Sequence, residues 1–566
     1  MHVFWAALVL SSLAIAQTRA DPRIRSVHPF TGQRGSTLHA KIRGEGLAGA
    51  TGVAADKAPF QVVVEGVEVE PVEPGITRRV AVELVKLRIE ISPDAKPGRY
   101  PIRLITPAGV SNAIPIHVSG YGQNIEPDGT HETTDSAVAV PAVPVAFSGK
   151  INHRGEADYY SFHAKAGQTL TFELVSGLPQ TAAGGSAATI ANFDPAITIY
   201  EPAGSWFDPA RLKRIAYNDE PVWVIGKPTD AHLSHRFEKA GRYLLRIEAF
   251  AGQGGADYSY SLRIAEGELP PSWADAAGGS SDDRSWTRRL DGTRLAKLAE
   301  RGGVNGKQPD VETYRASPDP ATVKLPATLE GALALPGEVH RARFRVDKPS
   351  DIALEFETPG AAPPYFNPLF RLLGPAGDEV ASNVLAGRGP CSGAMTKSLQ
   401  AKTVLPLRDT GEYTLEIREA TADLAGPDFR YRLQIRPQVP HVGRVQFDAD
   451  AVNLSPGQAK VVRVNFDREE DFRGGVLVSA ESLPEGVSAV AGADFEPEKD
   501  PPQNIGKRER YTPRGERIVV VLTAADGAPI SARPQEIRLV ARPLVDGKPG
   551  SVLASKKIPL MIIAKP

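Results

Sequence analysis

Four acidic or amide side chains in the middle of this chain have the chemistry a hard cation wants. Asp158 stands in GEADYYSF, and Asn218, Asp219 and Glu220 stand in AYNDEP. Glu126 and Asp128 precede them in IEPDGTH. Calcium takes about six to eight oxygen ligands, and acidic turns deliver oxygens. These six residues are the candidate calcium ligands, provided the strand edge that carries Asp158 lies beside the Asn218 loop. The bland alternative is an acidic, solvated turn. Zinc chemistry finds less support. His131-Glu132 has no second His at H-E-x-x-H spacing. His232 and His235 are three apart, which on a strand points them to opposite faces.

Covalent chemistry is also thin. Cys391, the sole cysteine, sits in the loop-like GRGPCSGAM with no spaced His to activate it, and it excludes an internal disulfide. We find no G-x-S-x-G, no G-x-x-x-x-G-K and no G-x-G-x-x-G following a strand. Paired glycosidase carboxylates obey no spacing rule, so 67 Asp and Glu neither support nor exclude them. Trp206 in PAGSWFDP and Trp223 in NDEPVWVIGKP stand near turns. Each either stacks on a sugar ring as a ligand-binding residue or caps its own core; Val222, Val224 and Ile225 favour capping.

The elements that must position these residues read as strands. The 566 residues suffice for several domains, and 53 Gly with 49 Pro suit short strands joined by turns. A formal net charge of -1 with interleaved acids and bases gives no polyanion-binding balance, so nucleic acid is not an expected partner. MHVFWAALVLSSLAIA resembles an export signal over residues 1–16, cut after Ala16 or, as a second choice, Ala20. No later stretch has the length of a membrane span. The expected location is therefore exported: periplasmic, cell surface or secreted.

Five segments follow. Residues 22–119 alternate as strands; YPIRLIT puts Tyr100, Ile102, Leu104 and Thr106 on one face. VAVELVKLRIEI is either a bulged strand or a helix. Residues 124–264 hold GEADYYSFHAKAGQTLTFEL, in which Tyr160, Phe162 and Ala164 share a face, as do Leu170, Phe172 and Leu174. This predicts a hairpin about Lys165–Gly167, and AGRYLLRIEAF with ADYSYSLRI predicts another. Residues 265–307 read as a linker, with a short helix in DGTRLAKLAERGG that puts Leu295, Leu298 and Ala299 on one side. Residues 308–436 repeat residues 124–264 block by block: GEVHRARF for GEADYYSF, FNPLFRLLGPAG for FDPAITIYEPAG, TGEYTLEI for AGRYLLRI. Residues 441–566 again alternate. The expected fold is all-β, a multidomain string of β-sandwiches.

The repeated blocks resemble the bacterial pre-peptidase C-terminal domain, a jelly-roll-like β-sandwich. The first copy carries its pattern at Glu126, Pro127 and Asp128, at Asp158, Tyr160 and Phe162, at Asp194 and Pro195, at Asn218 and Asp219, and at Gly241 and Tyr243. The second replaces the strand Asp with His340 and lacks the acidic loop, so no equivalent cation site is expected there. Related collagen-binding domains bind calcium, which the resemblance extends to the first copy as a structural cofactor. Residues 22–119 are similar to the TIG immunoglobulin-like domain through Ile24, Val27, Pro29, Gly32 and Gly35, then Gly98, Tyr100, Pro107, Gly109, Ser111 and Asn112. Residues 441–566 resemble the immunoglobulin-like modules that accompany such domains.

No segment is left over for a catalytic unit, so the chain is not expected to be an enzyme. The expected function is a non-catalytic interaction, adhesion or scaffold protein of the bacterial cell envelope. Two alternatives stand beside it: an accessory protein that binds extracellular polysaccharide or a protein polymer, and a cryptic secreted hydrolase. The expected partner is an envelope or extracellular protein or polysaccharide.

Overall fold

The computed structural model describes residues 21–565 except 56, 72–80, 178–192, 194, 203–211, 219–230, 250–251, 268–289, 305–306, 359–365, 389–394, 422–423, 427–428 and 495–513. The export-signal segment, Asp194, Trp206, Asp219, Glu220, Trp223 and Cys391 lie outside the described residues. The described chain is all-β: pairs of sheets, one two-stranded ribbon (Val384–Arg388 with Met395–Leu399) and, among the described residues, one helix, Gly292–Arg301. That helix places Leu295 and Ala299 in buried positions, and Asp291 caps it by accepting from the Arg294 amide.

The first sandwich packs a four-stranded sheet, built around Thr37–Glu45 and Glu83–Ile91, on a second sheet built around Gly98–Thr106 and Ile114–Ser119. The ambiguous VAVELVKLRIEI is a strand, with Val85, Leu87, Ile89 and Ile91 buried. The register slip lies in its partner Phe60–Val69, between Val64 and Gly66. Ile102, Leu104 and Thr106 are buried and Tyr100 partly so, on the face that alternation selects.

The second and third sandwiches have one topology. In the second, one sheet runs Gln123–Ile125, Val145–Lys150, Ser259–Glu266, Thr169–Ser176, His232–Arg236. Its partner runs Val138–Ala139, Ala157–Ala164, Gly241–Ala249, Pro195–Pro202, Leu212–Asn218. The third repeats this strand order with Ser350–Glu357 and Arg430–Pro437 central in one sheet, and His340–Val346 and Gly411–Glu419 in the other. Duplicated sequence has thus produced duplicated architecture.

One expectation fails in both copies. Ala157–Ala164 and Thr169–Ser176 are not a hairpin; they belong to opposite sheets, as do Gly241–Ala249 and Ser259–Glu266. The turn at Lys165 is real, closed by the Gln168 amide on the Lys165 carbonyl and by Gly167 at φ +78°. The chain there changes sheet. Two strands with apolar inner faces bury more surface when those faces meet across the interior than when they lie edge to edge. Phe162 and Phe172 accordingly meet across the sandwich, 5.2 Å between ring centroids, with Phe237 and Tyr243 beside them.

Neighbouring sandwiches are joined by buried groups. Val175 of the second sandwich enters the core of the first, and Phe30 of the first lies where a Cβ on Gly177 would stand 2.5 Å from its ring. Between third and fourth, Arg436 forks onto Glu470 at 2.6 and 2.7 Å, and both side chains are fully buried. Lys402 and the Val439 amide complete the carboxylate's shell. Burial pushes the Glu470 carboxyl up, but Arg436 and Lys402 outweigh it and hold it at about 2. A depressed carboxyl adds stability above its unfolded range near pH 4, and that contribution is lost as pH falls through about 2. Glu470→Gln is expected to cost about 3–5 kcal/mol, because it strands a buried guanidinium. It should also flatten the acid limb of stability between about pH 4 and pH 2, both read by denaturant unfolding.

Candidate functional site

Strand register decides where the expected ligands go. Asp158 pairs with Ile247, Ile247 with Ile197, and Ile197 with Asn218. Asp158 and Asn218 are therefore three strands apart on one level of one sheet. At about 4.8 Å per strand that is roughly 14 Å, too far to share one ion. Asn218 is buried with its Oδ1 accepting from the His232 amide, while its counterpart Asn383, also buried, accepts from the Phe370 amide and donates to the Gln400 carbonyl. Asp128 is exposed. His232 is buried and His235 half-buried, the latter edge-on to Phe237.

Asp158 and Glu126 do come together, inside the end of the second sandwich. Even-numbered residues of Ala157–Ala164 face inward, so Asp158 shares the core face with Tyr160 and Phe162 and is 1% exposed. The Tyr260 hydroxyl, from the opposite sheet, donates to Asp158 Oδ2 at 2.6 Å. The hydroxyls of Tyr260 and Tyr160 are 3.0 Å apart, and they lie 3.3 and 3.4 Å from Glu126 Oε1. Glu126 is anchored through Oε2, which accepts from the Lys150 amide at 3.1 Å. Gly149 permits the convergence: a Cβ there would stand 2.3 Å from the Tyr260 ring and 2.7 Å from Glu126 Oε2. Glu156, also buried, accepts from the His153 amide and from Asn152.

Three carboxyl groups thus crowd one sandwich end. Burial first, and then the Glu126 carboxylate, push Asp158 up to about 8. Burial likewise raises Glu126. At the rim, His131 sits between two carbonyls, Pro127 O at 2.7 Å and Ser136 O at 3.1 Å. Only the imidazolium donates from both nitrogens. Burial opposes that charge, but the two carbonyls and Glu126 raise His131 above its ordinary range.

The third sandwich fills the same end differently. His340 occupies the position of Asp158, opposite Ile417 as Asp158 is opposite Ile247. Its Nδ1 meets the Tyr431 hydroxyl at 2.7 Å and its Nε2 meets Glu338 at 2.9 Å. Gly331 gives the approach that Gly149 gives in the first copy. An acid–phenol cluster in one copy is an acid–imidazole–phenol chain in the other.

A second cluster escapes the sequence reading. Among the described residues, the trio of His, Cys, Asp or Glu whose ligand atoms fall within 4.8 Å of one another is His441, Glu469 and Glu470. Lys402 and Arg436 already neutralise it, and His441 Nδ1 donates to the Val439 carbonyl at 2.6 Å, so it serves as an ionic joint. Its sequence signal was the acidic run DREED at residues 467–471. Gly44, Gly46 and Gly49 have G-x-G-x-x-G spacing, but it begins inside the strand Thr37–Glu45 rather than after it. The next element is the strand Gly52–Ala54, not the helix whose N-terminus would hold a phosphate.

No family model matches the chain, and no curated protein matches it. Among solved structures, it is similar to the pre-peptidase C-terminal domain of a Bacillus anthracis collagenase, at 13% identity over 25% of this chain and 99% of that one, TM-score 0.16. CorA, a surface-associated copper-binding protein of Methylomicrobium album BG8, matches at 9% identity over 26% and 98%, TM-score 0.16. The surface layer protein SbsC, domains 1–6, matches at 10% identity over 96% and 54%, TM-score 0.14. Scores this low leave the fold to rest on the sheets themselves.

The acid cluster has a distinct pH signature. A carboxyl raised to about 8 in the fold and near 4 when unfolded adds stability at low pH that is lost as pH rises through about 8. Asp158→Asn keeps the shape and removes the titration. The melting temperature of the second sandwich should then fall less between pH 5 and pH 9 than in the unsubstituted chain, by scanning calorimetry.

Proposed function

We propose that this chain is an exported, non-catalytic interaction or scaffold protein of the bacterial cell envelope, and that its repeated sandwiches are of the pre-peptidase C-terminal kind. The carrying observation is how its buried polar groups are used. Apart from the sandwich ends, ion pairs join one sandwich to another at three places: Arg43 with Asp257, Arg436 and Lys402 with Glu470, and Arg103 with Asp450. A scaffold needs fixed joints of this sort. An enzyme would instead require such groups to converge on a substrate-sized cleft.

In the same reading, the end of the second sandwich takes a hard divalent cation, with Glu126 and Asp158 as carboxylate ligands. A buried acid, Asp158, beside the half-buried Glu126 fits such a charge, and the third sandwich, with His340 in place, does not. Calcium should raise the melting temperature of the second sandwich alone, more at pH 8 than at pH 5, and Asp158→Asn should abolish the rise. Equal response of both repeated sandwiches would refute the assignment.

One observation favours polymer binding as a second reading. On the outer face of the second sandwich, Tyr159, Arg246, Thr198 and Tyr217 form one row, with Tyr200 beside them and Tyr217 43% exposed. The matching row of the third is Arg341, Glu416, Arg371 and Ser382, laced by ion pairs at 3.2 Å. A face that is aromatic in one copy and ionic in the other suits stacking on a planar or sugar-bearing polymer. Retention on insoluble glycans or collagen should fall about tenfold or more with Tyr217→Ala. Trp206→Ala and Trp223→Ala test the sequence-level candidates in parallel, and no retention of the unsubstituted chain on any polymer would eliminate this reading.

A further inference from the structure

The linear order of the sandwiches is not their contact order. Among the described residues, the second sandwich packs on the first, where Arg43 Nη1 donates to both Asp257 carboxylate oxygens at 2.9 Å and Ser26 donates to the same carboxylate at 2.6 Å. The third packs on the fourth through Arg436 and Glu470. The helix Gly292–Arg301 bridges that pair, with Arg294 on Glu357 and the Arg301 guanidinium donating to the carbonyls of Val442 and Gly443. The first and fourth sandwiches, at opposite ends of the described chain, meet each other.

Their contact is built like a joint. Asp450 accepts the Arg103 fork at 2.8 and 2.9 Å and also the Ala113 amide at 2.7 Å. Asn453 behaves as a peptide unit: its Oδ1 accepts from the Val110 amide at 2.8 Å, and its Nδ2 donates to the Val110 carbonyl at 3.0 Å. Asn453 is 4% exposed and Val110 1% exposed. Gly109, at φ +117°, leaves the space for it, since a Cβ there would stand 2.2 Å from the amide. Asp21 adds contacts to Asn453 and Lys460. Val110 lies in the short strand Gly109–Val110, which pairs with Gly98–Thr106, and Asn453 takes up both its N–H and its carbonyl.

We infer that Asp450 and Asn453 form a clasp on the loop 107–113, closing the chain in the contact order second, first, fourth, third and holding the two repeated sandwiches at opposite ends of a joined first–fourth pair. Both halves belong to one chain, so the contact is intramolecular and is favoured over pairing between separate molecules in dilute solution. This deepens the scaffold reading but does not need it: closure is a property of the chain whatever it binds. Its consequence is a fixed spacing between the cation-type end of one copy and the imidazole end of the other.

Small-angle scattering and hydrogen exchange on the full chain test it. The unsubstituted chain should be compact, and Arg103→Asp with Asn453→Ala should raise the radius of gyration roughly 1.2-fold as the halves separate on their tether. In the same variant the Val110 amide should exchange about tenfold faster or more. The charge swap Arg103→Asp with Asp450→Arg should restore compactness. If the double variant unfolds a sandwich, Asp450→Ala alone, which removes the acceptor of the Arg103 fork at a partly exposed side chain, gives the same test. An unsubstituted chain already as extended as a freely tethered pair, or a Val110 amide that exchanges equally fast in unsubstituted and clasp-broken chains, would overturn the clasp.

Discussion

Face-to-face burial across paired sheets is the constraint from which the rest of this molecule follows. A strand that alternates apolar and polar residues has one face to hide, and the four sandwiches hide it by bringing two such faces together. The choice fixes the connections. In both repeated sandwiches the short turn after the first aromatic strand carries the chain from one sheet to the other, so the strands it joins meet through their side chains and take their backbone partners from distant sequence. It also fixes the chemistry. Residues in step with the core, such as Asp158, are drawn inside with it, and a carboxyl carried there must find phenols, a proton or a cation.

This explains what could be read from the sequence and what could not. Periodicity identified the strands, the buried face of Tyr100 to Thr106, the helix near Leu295 and the duplication, because each is a local pattern. Hairpin against sheet-crossing corner was not readable, since both use an aromatic strand, a Gly turn and another aromatic strand. The same limit governed the site. Glu126 and Asp158 were recognised as acids worth pairing, yet their true companions, Tyr260 and Glu156, became visible only once Tyr260 was placed on the facing sheet. Asn218 was grouped with them by composition, and register moved it three strands away. The Glu469–Glu470 joint lay hidden in an acidic run because its counter-charges, Lys402 and Arg436, belong to another sandwich.

Polar groups in this protein do two separable jobs. At the sandwich ends they close a core: Tyr260 with Asp158 in one copy, Tyr431 with His340 in the other, each under a glycine that leaves room for the ring. Between sandwiches they set geometry: Arg103 forks onto Asp450 and Arg436 onto Glu470, while Arg43, forked on Glu70 of its own sandwich, reaches Asp257 through Nη1. A forked pair constrains direction as well as distance, which a tether alone does not.

The seat of Val175 in the first sandwich's hydrophobic cluster, with Phe30 pressed to Gly177, carries a last consequence. The cooperative block at this end of the chain is larger than the module that sequence periodicity delimits. Excising residues up to 119 would open a hole lined by Ile and Val where a neighbour's side chain belongs, so the smallest fragment with an intact interior spans both modules.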